Sequence, residues 1–371
     1  MKKLIFKKLN KDFSIFFLLT ITSITLIIWV IQAVNFLDIV IEDGHSFKVY
    51  FYYSLLNIPK IISKTLPFVF FLSVIYVLLN YESNNQLLIY WHIGITKIRF
   101  IRMVVNYSFI YLLIQLILTS YFVPNSQNFS RSFFKNSDLN LLDGVMKEKK
   151  FVDTVKNLTI FIMDEKDGNL KHVFLKENFK NNDYQIINSK SGIVVPSNRK
   201  ILRLNEGSIL TNKNDKISEI EFFETNFNID KFQTKSIIDI KTDENTTYNL
   251  LKCFYFEILK LGKTDFLFNN CRKGNYRGVI EVLYKRLMLP FFIPTLALVA
   301  SLLILKTRNN EGFNQYLFKV FIFGIALIIC AEVSLKYIGI SLLVNYFLLF
   351  SPIIIFTLIL FYINKKLQFR K

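Results

Sequence analysis

The sequence predicts an α-helical membrane protein with six transmembrane helices and an all-β, jelly-roll-like domain inserted between the third and fourth helices. Three observations lead to this fold class. The chain of 371 residues is 52% hydrophobic and 16% aromatic, more apolar than an ordinary soluble domain. Six stretches are long and apolar enough to span a bilayer, which takes about 20 residues. A long polar segment with alternating hydrophobic residues separates the third stretch from the fourth.

The predicted spans fall into two groups of three. The first group covers residues 13–36, 54–80 and 101–123, and the second covers residues 287–305, 315–338 and 342–363. The first span is too long for the apolar region of a cleavable signal peptide, and no small-residue cleavage site follows it. We therefore expect it to be retained as a helix.

The short loops predict the orientation, because Lys and Arg concentrate on the cytoplasmic side of a membrane. Basic residues occur before span 1, between spans 2 and 3, between spans 4 and 5, and after span 6: Lys2, Lys3, Lys7, Lys8, Lys11, Lys97, Arg99, Arg102, Lys306, Arg308, Lys365, Lys366, Arg370 and Lys371. The loop after span 1 carries Asp38, Glu42 and Asp43. We expect both termini in the cytoplasm and the long insert outside it.

The insert, residues 124–281, reads as short strands joined by turns. Lys166-Asp167-Gly168-Asn169 separates two alternating runs, and Asp-Gly is a strong hairpin signal. Residues 248–281 indicate helical structure that returns to the membrane. Leu158, Ile160 and Ile162 alternate and line one face of a strand. The pattern leaves open whether that face is plain core or a binding groove.

Several classes of function are disfavoured. The net charge is +18, but the sequence contains no basic helix and no motif of alternating aromatic and basic residues. We therefore expect no nucleic-acid binding. No GxxxxGK[ST], HExxH or GxSxG motif is present, which argues against ATP binding, metal centres, cofactors and catalysis in this chain. None of the three cysteines forms a CxxC. A Cys253–Cys271 disulfide stays an open alternative, and Cys330 reads as packing.

Several stretches carry a resemblance to a known family. Trp29–Gly44 resembles the end of a first span, and Ile58-Pro59 and Leu66-Pro67-Phe68 place prolines in span 2. The other similar stretches are Gln86–Thr96, Val123–Ser126 and Tyr284–Arg286. Together with the order of spans and insert, they resemble the LptF/LptG (YjgP/YjgQ) permease family of the lipopolysaccharide exporter, and more closely its LptF half.

The resemblance implies a non-catalytic permease subunit of an ATP-driven exporter in the bacterial inner membrane, with a periplasmic β domain. It implies a second, LptG-like permease, an LptB-like ATP-binding dimer, LptC/LptA-like β-jelly-roll bridge proteins, and lipopolysaccharide as substrate. The expected domains are residues 1–123, with a cytoplasmic coupling helix at about 82–96, residues 124–281, and residues 282–371. The alternative is a membrane-anchored periplasmic receptor or scaffold without transport.

The coupling helix has one predicted apolar face, because Leu87, Leu88 and Trp91 are spaced at i, i+1 and i+4. Such a face suits a groove on a partner, and equally an interfacial helix on the leaflet. The resemblance favours coupling, with Gly94 at its end. The family places an acidic residue eight positions before this glycine, where the chain has Gln86, and Glu82 lies one turn earlier.

Charges in the outer halves of the spans supply the remaining candidates. Lys60 and Lys64 lie one turn apart in span 2, where a charge is costly unless it meets water or a partner. Lipid phosphates suit them, and the other possibility is snorkelling to the headgroups. Lys48 and Arg286 are weaker candidates. Glu332 and Lys336 form an i, i+4 pair in span 5, expected to neutralise itself or to lie at a lateral gate.

Overall fold

The computed structural model describes residues 2–37, 47–136, 148–153, 157–166, 168–179, 183–195, 201–213, 216–228, 242–255, 276–308 and 311–368. Six helical segments in these ranges are long and apolar enough to cross a membrane: Leu4–Asn35, Phe47–Ser83, Lys97–Ser132, Arg277–Leu305, Phe313–Tyr337 and Leu343–Gln368. We call them spans 1 to 6. The six predicted spans and the strand-rich insert between spans 3 and 4 are confirmed.

Most helices extend beyond the apolar stretches that predicted them, because polar residues continue the helix at its ends. The α-helices are α1 Lys2–Asn35, α2 Phe47–Leu56, α3 Ile58–Ser83, α4 Gln86–His92, α5 Lys97–Ile117, α6 Val123–Asn136, α7 Thr247–Cys253, α8 Tyr276–Leu287, α9 Phe292–Ser301, α10 Phe313–Tyr337 and α11 Leu342–Gln368. A π-helical turn, Leu118–Phe122, joins α5 to α6. Short 3-10 helices occur at Thr242–Glu244, Leu289–Phe291 and Leu302–Leu305.

The chain forms two compact units. One comprises Met1–Val30, Asn57–Asn128 and Lys241–Lys371, and the other comprises Ile31–Leu56 and Phe129–Ile240. In the first unit, span 4 is the central helix, since every residue of α9 is buried. Gly324 of span 5 lets the ring of Phe71 pack against its helix, where a Cβ atom would lie only 1.9 Å from that ring. This bundle supplies the frame for the polar sites described below.

The second unit contains a six-stranded antiparallel sheet in which sequence neighbours are sheet neighbours. Its strands are β1 Phe151–Val152, β2 Leu158–Lys166, β3 Asn169–Asn178, β4 Tyr184–Val194, β5 Ile201–Lys213 and β6 Lys216–Asn228. The predicted hairpin is present, with Lys166 paired to Asn169 and Gly168 at φ +80°. Leu158, Ile160 and Ile162 are buried in one apolar cluster with side chains from β1, β3, β4 and β5.

Five residues in a line across the sheet are left out of the backbone pairing, although the side chains of Lys190 and Glu206 form an ion pair at 3.0 Å. Met163, His172, Lys190, Glu206 and Phe223 stand opposite one another on β2 to β6, and the ladders resume on both sides in the same register. His172 and Glu206 have φ of +49°, which is unusual for residues with a side chain. The buried positions also shift there by one residue, from Leu170 to Val173 on β3. We call this line the crease.

The last strand of the described sheet is long and exposed. β6 has 13 residues, and only a few of its side chains are even half-buried. Phe223 is 93% exposed, and Ile217 and Ile220 also face solvent. An open edge of this kind offers unpaired backbone groups to a further strand.

Gly207 is predicted to be indispensable to the sheet. A Cβ atom there would lie 2.0 Å from the backbone oxygen of Asn188 and 2.8 Å from the ring of Phe222. Because backbone cannot yield, Gly207→Ala should destabilise the β domain by about 1–3 kcal/mol. Urea-dependent proteolysis of the full chain in detergent measures this, with Ser208→Ala as the control expected within about 0.5 kcal/mol of wild type. Equal stability of the two variants would contradict the packing.

Candidate functional site

The helical bundle has two ends with different chemistry. We call the end where span 3 leads into the insert and span 4 returns from it the insert side. The opposite end, where span 1 begins and span 6 finishes, is the terminal side. The predicted residues of span 2, span 4 and span 5 lie towards the insert side, and the predicted coupling segment lies on the terminal side.

A pocket of about 70 Å³ opens between spans 2, 3, 4 and 5 near the insert side. Its polar lining is contributed by Ser63, Lys64, Gln115, Thr119, Lys285 and Glu332. The remaining lining is apolar, with Pro67 and Phe68 on span 2 and Leu327, Ile328 and Ala331 on span 5 among it. Polar groups gathered at one point of an apolar wall are typical of a ligand site.

A proline organises one wall of this pocket. Pro67 lies inside α3 and has no N–H, so the carbonyl of Ser63 four residues earlier lacks its helical donor. The side chain of Gln115 donates to that carbonyl at 2.7 Å. The other amide atom, Gln115 Oε1, is buried and has no hydrogen-bond partner within the described part of the chain. It supplies an unused acceptor beside the pocket.

The charges around the pocket are mostly basic. Lys64 and Lys285 both line it, facing a single carboxylate from Glu332. Lys285 also lies 3.6 Å from Asp243 of the return segment. Lys60 lies one turn before Lys64 and is half-buried. Its ammonium group is repelled by the charge of Lys64 and attracted by that of Asp243. The arrangement suits a ligand that carries negative charge.

Arg286 has a different role from the one predicted for it. Its side chain is buried, with the residue only 4% exposed, and it donates to the backbone oxygens of Asp243 and Asn245 and to the hydroxyl of Thr247 at 2.6–2.9 Å. Its own carbonyl accepts from Thr119 at 3.0 Å. We call these residues the Arg286 cluster. They join the return segment, span 4 and the π-helical turn of span 3, so the guanidinium holds protein rather than lipid.

Lys285 is the basic residue that the sequence did not single out. Neighbouring residues on a helix point about 100° apart, so only one of Lys285 and Arg286 can face the pocket. The sequence shows two adjacent basic residues at this point, but it does not indicate which of the two side chains faces the pocket. The structure turns Lys285 to the pocket and Arg286 inward.

The other predicted charges are exposed. Glu332 and Lys336 form no ion pair with one another among the described residues, although their spacing favours one, and only Glu332 lines the pocket. The backbone oxygen of Lys336 accepts from Arg277 at 2.6 Å. Lys48 lies on α2 in the other compact unit, where its side chain is exposed.

On the terminal side, α4 is fastened to span 1. Tyr90 is buried and donates to the backbone oxygen of Ile5 at 3.2 Å, and its ring packs against Phe6 and Phe100. Burial and the nearby charge of Asp12 raise the pKa of Tyr90 to about 12, so its hydroxyl stays a donor. Asp12 itself accepts from Tyr81 at 2.5 Å. Span 1 and the segment around α4 are thus held together by buried polar contacts.

Gly94 ends α4 in a conformation that other residues resist. Its φ is +75°, and its N–H donates to the carbonyl of Trp91 while that of Ile95 donates to Tyr90. This pair of bonds is the Schellman motif, which stops a helix and turns the chain towards span 3. The glycine predicted at this point is therefore required by the backbone.

The exposed face of α4 differs from the predicted one. Leu87 is 3% exposed and belongs to the core of the bundle, whereas Leu88 and Ile89 are 48% and 53% exposed. Trp91 is half-buried, with its ring against Phe100 and under the ammonium of Lys97. The predicted face of Leu87, Leu88 and Trp91 is corrected accordingly: Leu88 and Ile89 form the free apolar surface.

The two polar candidates beside α4 are half-buried. Gln86 is the first residue of α4. Glu82 accepts a hydrogen bond from the backbone N–H of Arg308 at 3.0 Å, which ties the end of span 2 to the loop between spans 4 and 5. One carboxylate oxygen of Glu82 is therefore already occupied by a hydrogen bond within the chain.

Cysteine and metal chemistry add little. Cys253 takes part in a disulfide and Cys330 is free, while Cys271 lies outside the described residues. Over the ranges the structure covers, no group of three or more His, Cys, Asp or Glu residues is placed to hold a metal ion.

Two comparisons with known proteins are informative. Residues 7–366 match the family model described as lipopolysaccharide export system permease LptF/LptG. The uncharacterized protein RP871 of Rickettsia prowazekii (strain Madrid E) is 25% identical over 190 residues. That match covers 50% of this chain and 52% of the relative, so the chain spans about half the length of the curated relative it matches.

Loss of Arg286 is predicted to weaken the insert side of the bundle. Arg286→Ala removes the donor of three oxygens in the Arg286 cluster, and a buried acceptor left without a donor costs about 1–3 kcal/mol. Thermal unfolding in detergent should show a fall in Tm of several degrees. Arg277→Ala, on the same helix, removes one exposed hydrogen bond and should change Tm far less. A similar shift for both variants would contradict a larger contribution from the contacts of Arg286.

Proposed function

The chain belongs to the LptF/LptG family of lipopolysaccharide export permeases, and we propose that it is the LptF-like permease subunit of an ATP-driven exporter. The exporter would extract lipopolysaccharide from the inner membrane and pass it to a periplasmic bridge. The observation that carries the proposal is the family match over residues 7–366, which includes both groups of spans and the insert. The basic pocket on the insert side and the exposed apolar residues Leu88 and Ile89 of α4 support the proposal.

The proposed orientation follows from the short loops. The terminal side, with its Lys and Arg residues, would face the cytoplasm, and the β domain would lie in the periplasm. The insert side would then lie at the outer leaflet, where the exported lipid enters. Lys60, Lys64 and Lys285 would meet its phosphates there, and Glu332 would be the counter-charge at a gate beside span 5. A phosphate placed between lysines of spans 2 and 4 satisfies charges that are costly in lipid.

Energy would arrive from a separate ATP-binding dimer, because the chain has no phosphate-binding loop. The contact that we propose is apolar: Leu88 and Ile89 of α4 would enter a groove on that dimer. Gln86 and Glu82 would stand at its rim. A push on α4 would reach span 1 through Tyr90 and Ile5, which are hydrogen-bonded. ATP-driven closure of the dimer would thus change the distance between the two permeases.

The β domain would hand the lipid onwards. β6 has an exposed edge, and a further strand from an LptC/LptA-like bridge protein would extend the sheet there. The apolar face with Leu158, Ile160 and Ile162 packs as the core of the sheet in this structure. Acyl chains would therefore use its margin, next to the exposed apolar residues of β6. The second, LptG-like permease would complete the cavity in the membrane.

The decisive experiment is affinity purification of the tagged chain from native membranes in mild detergent, followed by mass spectrometry. Recovery of an ATP-binding subunit together with a second six-span permease is the expected result. Recovery of the chain alone and monodisperse would overturn the proposal and favour the membrane-anchored receptor or scaffold.

The free surface of α4 is predicted to decide ATPase binding. Leu88→Ala combined with Ile89→Ala should weaken recovery of the ATP-binding subunit about tenfold, which corresponds to about 1.4 kcal/mol. Ile353→Ala with Ile354→Ala is the matched control, since both residues are exposed and apolar but lie on span 6. Loss in both double variants, or in neither, would contradict an α4 contact.

The pocket lysines are predicted to bind the lipid phosphates. Lys64→Ala and Lys285→Ala should each lower the amount of lipopolysaccharide retained by the purified complex about fivefold, because each removes a charge-assisted contact. Lys336→Ala serves as the control, being exposed on span 5 and outside the pocket. Equal retention by Lys64→Ala and Lys336→Ala would show that position in the pocket is irrelevant.

A further inference from the structure

A second groove lies on the terminal side, between spans 3, 4 and 6. It has a volume of about 250 Å³, and its lining comes from Ile98, Ile101, Arg102, Val105, Asn106, Phe109, Leu298, Phe356, Leu360, Ile363 and Asn364. Ile101, Leu298 and Ile363 are buried and form its floor. Phe109 and Leu360 are partly exposed, so the groove opens on the outer surface of the described bundle.

Polar groups stand at one end of this groove. Arg102, Asn106 and Asn364 are its polar lining, and no acidic residue contributes to it. The guanidinium of Arg102 is exposed and makes no hydrogen bond or ion pair with any residue that the structure describes. Arg102 lies five residues from the start of α5, and Asn364 lies four residues from the end of α11. At 1.5 Å per residue both lie about 6–8 Å in from the ends of their helices at the terminal side.

The other end of the groove is apolar and lies deeper. Phe109 is seven residues beyond Arg102 on span 3, and Phe356 is eight residues before Asn364 on span 6. These spacings are about 10 and 12 Å along the helix axes. A channel with a cationic rim and an apolar course of this length has the shape of a phospholipid headgroup with the first part of one acyl chain.

We propose that this groove binds one anionic glycerophospholipid from the leaflet at the terminal side. The phosphate would lie on Arg102, the amides of Asn106 and Asn364 would donate to phosphate or ester oxygens, and one acyl chain would follow Phe109 and Phe356. Basic pockets between membrane helices on the cytoplasmic side recognise acidic headgroups in this way. Lys97 and Arg99 nearby raise the positive potential of the same end.

The identification of this leaflet as the cytoplasmic one rests on the proposed function. The lipid site itself does not, because the exported substrate would enter from the opposite leaflet and use a different pocket. The occupant of this groove is a resident lipid that fills the space between spans 3 and 6 and fixes their separation.

The test is native mass spectrometry of the purified full-length chain in mild detergent, incubated with equal amounts of phosphatidylglycerol and phosphatidylcholine of identical acyl chains. Wild type should retain one phosphatidylglycerol in preference to phosphatidylcholine. Arg102→Ala should lower that retention about fivefold, the effect of about 1 kcal/mol for one basic residue near an anionic headgroup. Arg99→Ala is the matched control, since Arg99 is exposed on the same helix but does not line the groove.

Two results would overturn the site. If Arg102→Ala and Arg99→Ala lost phosphatidylglycerol equally, the binding would be due to diffuse surface charge. If wild type retained both lipids equally, the groove would not recognise the headgroup. Unchanged Tm of lipid-free Arg102→Ala excludes misfolding, because Arg102 is exposed and makes no contact to lose. The affinity purification from native membranes tests the exporter separately, so either claim can fail while the other stands.

Discussion

Backbone polar groups inside a bilayer cannot bond to lipid, and this constraint decides where polar side chains stand in the bundle. Pro67 frees one carbonyl in span 2, and Gln115 of span 3 supplies the missing donor. The return segment presents further oxygens, to which Arg286 donates, and Thr119 of the π-helical turn donates to the carbonyl of Arg286 itself. These irregular segments are thus bonded by polar side chains from other parts of the bundle.

These hydrogen bonds to the backbone lie at the insert side of the bundle. Lys64, Lys285 and Glu332 line one pocket at the same end. The terminal side is built differently, with aromatic packing around Tyr90 and Phe100 that holds α4 against span 1. A permease needs polar recognition at one end and a firm mechanical contact at the other. The same bundle provides both, with the π-helical turn at the insert side and the 3-10 helix Leu302–Leu305 at the terminal side.

Periodicity and hydropathy predicted the spans, the strands and the hairpin at Gly168, because those patterns extend over many residues. They did not predict which of two adjacent residues faces a site. Lys285 rather than Arg286 lines the pocket, and of the adjacent Leu87 and Leu88, which were predicted to share one face, only Leu88 is exposed. Adjacent residues on a helix point about 100° apart. Which of them faces the site depends on packing partners that are far away in the sequence.

The crease was not predicted from the sequence for a related reason, because it shifts the buried positions of β3 and β4 by a single residue. Its consequence is mechanical. The crease, which comprises Met163, His172, Lys190, Glu206 and Phe223, divides the backbone pairs of the sheet into two separate groups. Bending the sheet along this line breaks no backbone pair, so the angle there is held by the apolar cluster, which contains Leu170 from one side of the crease and Val173 from the other.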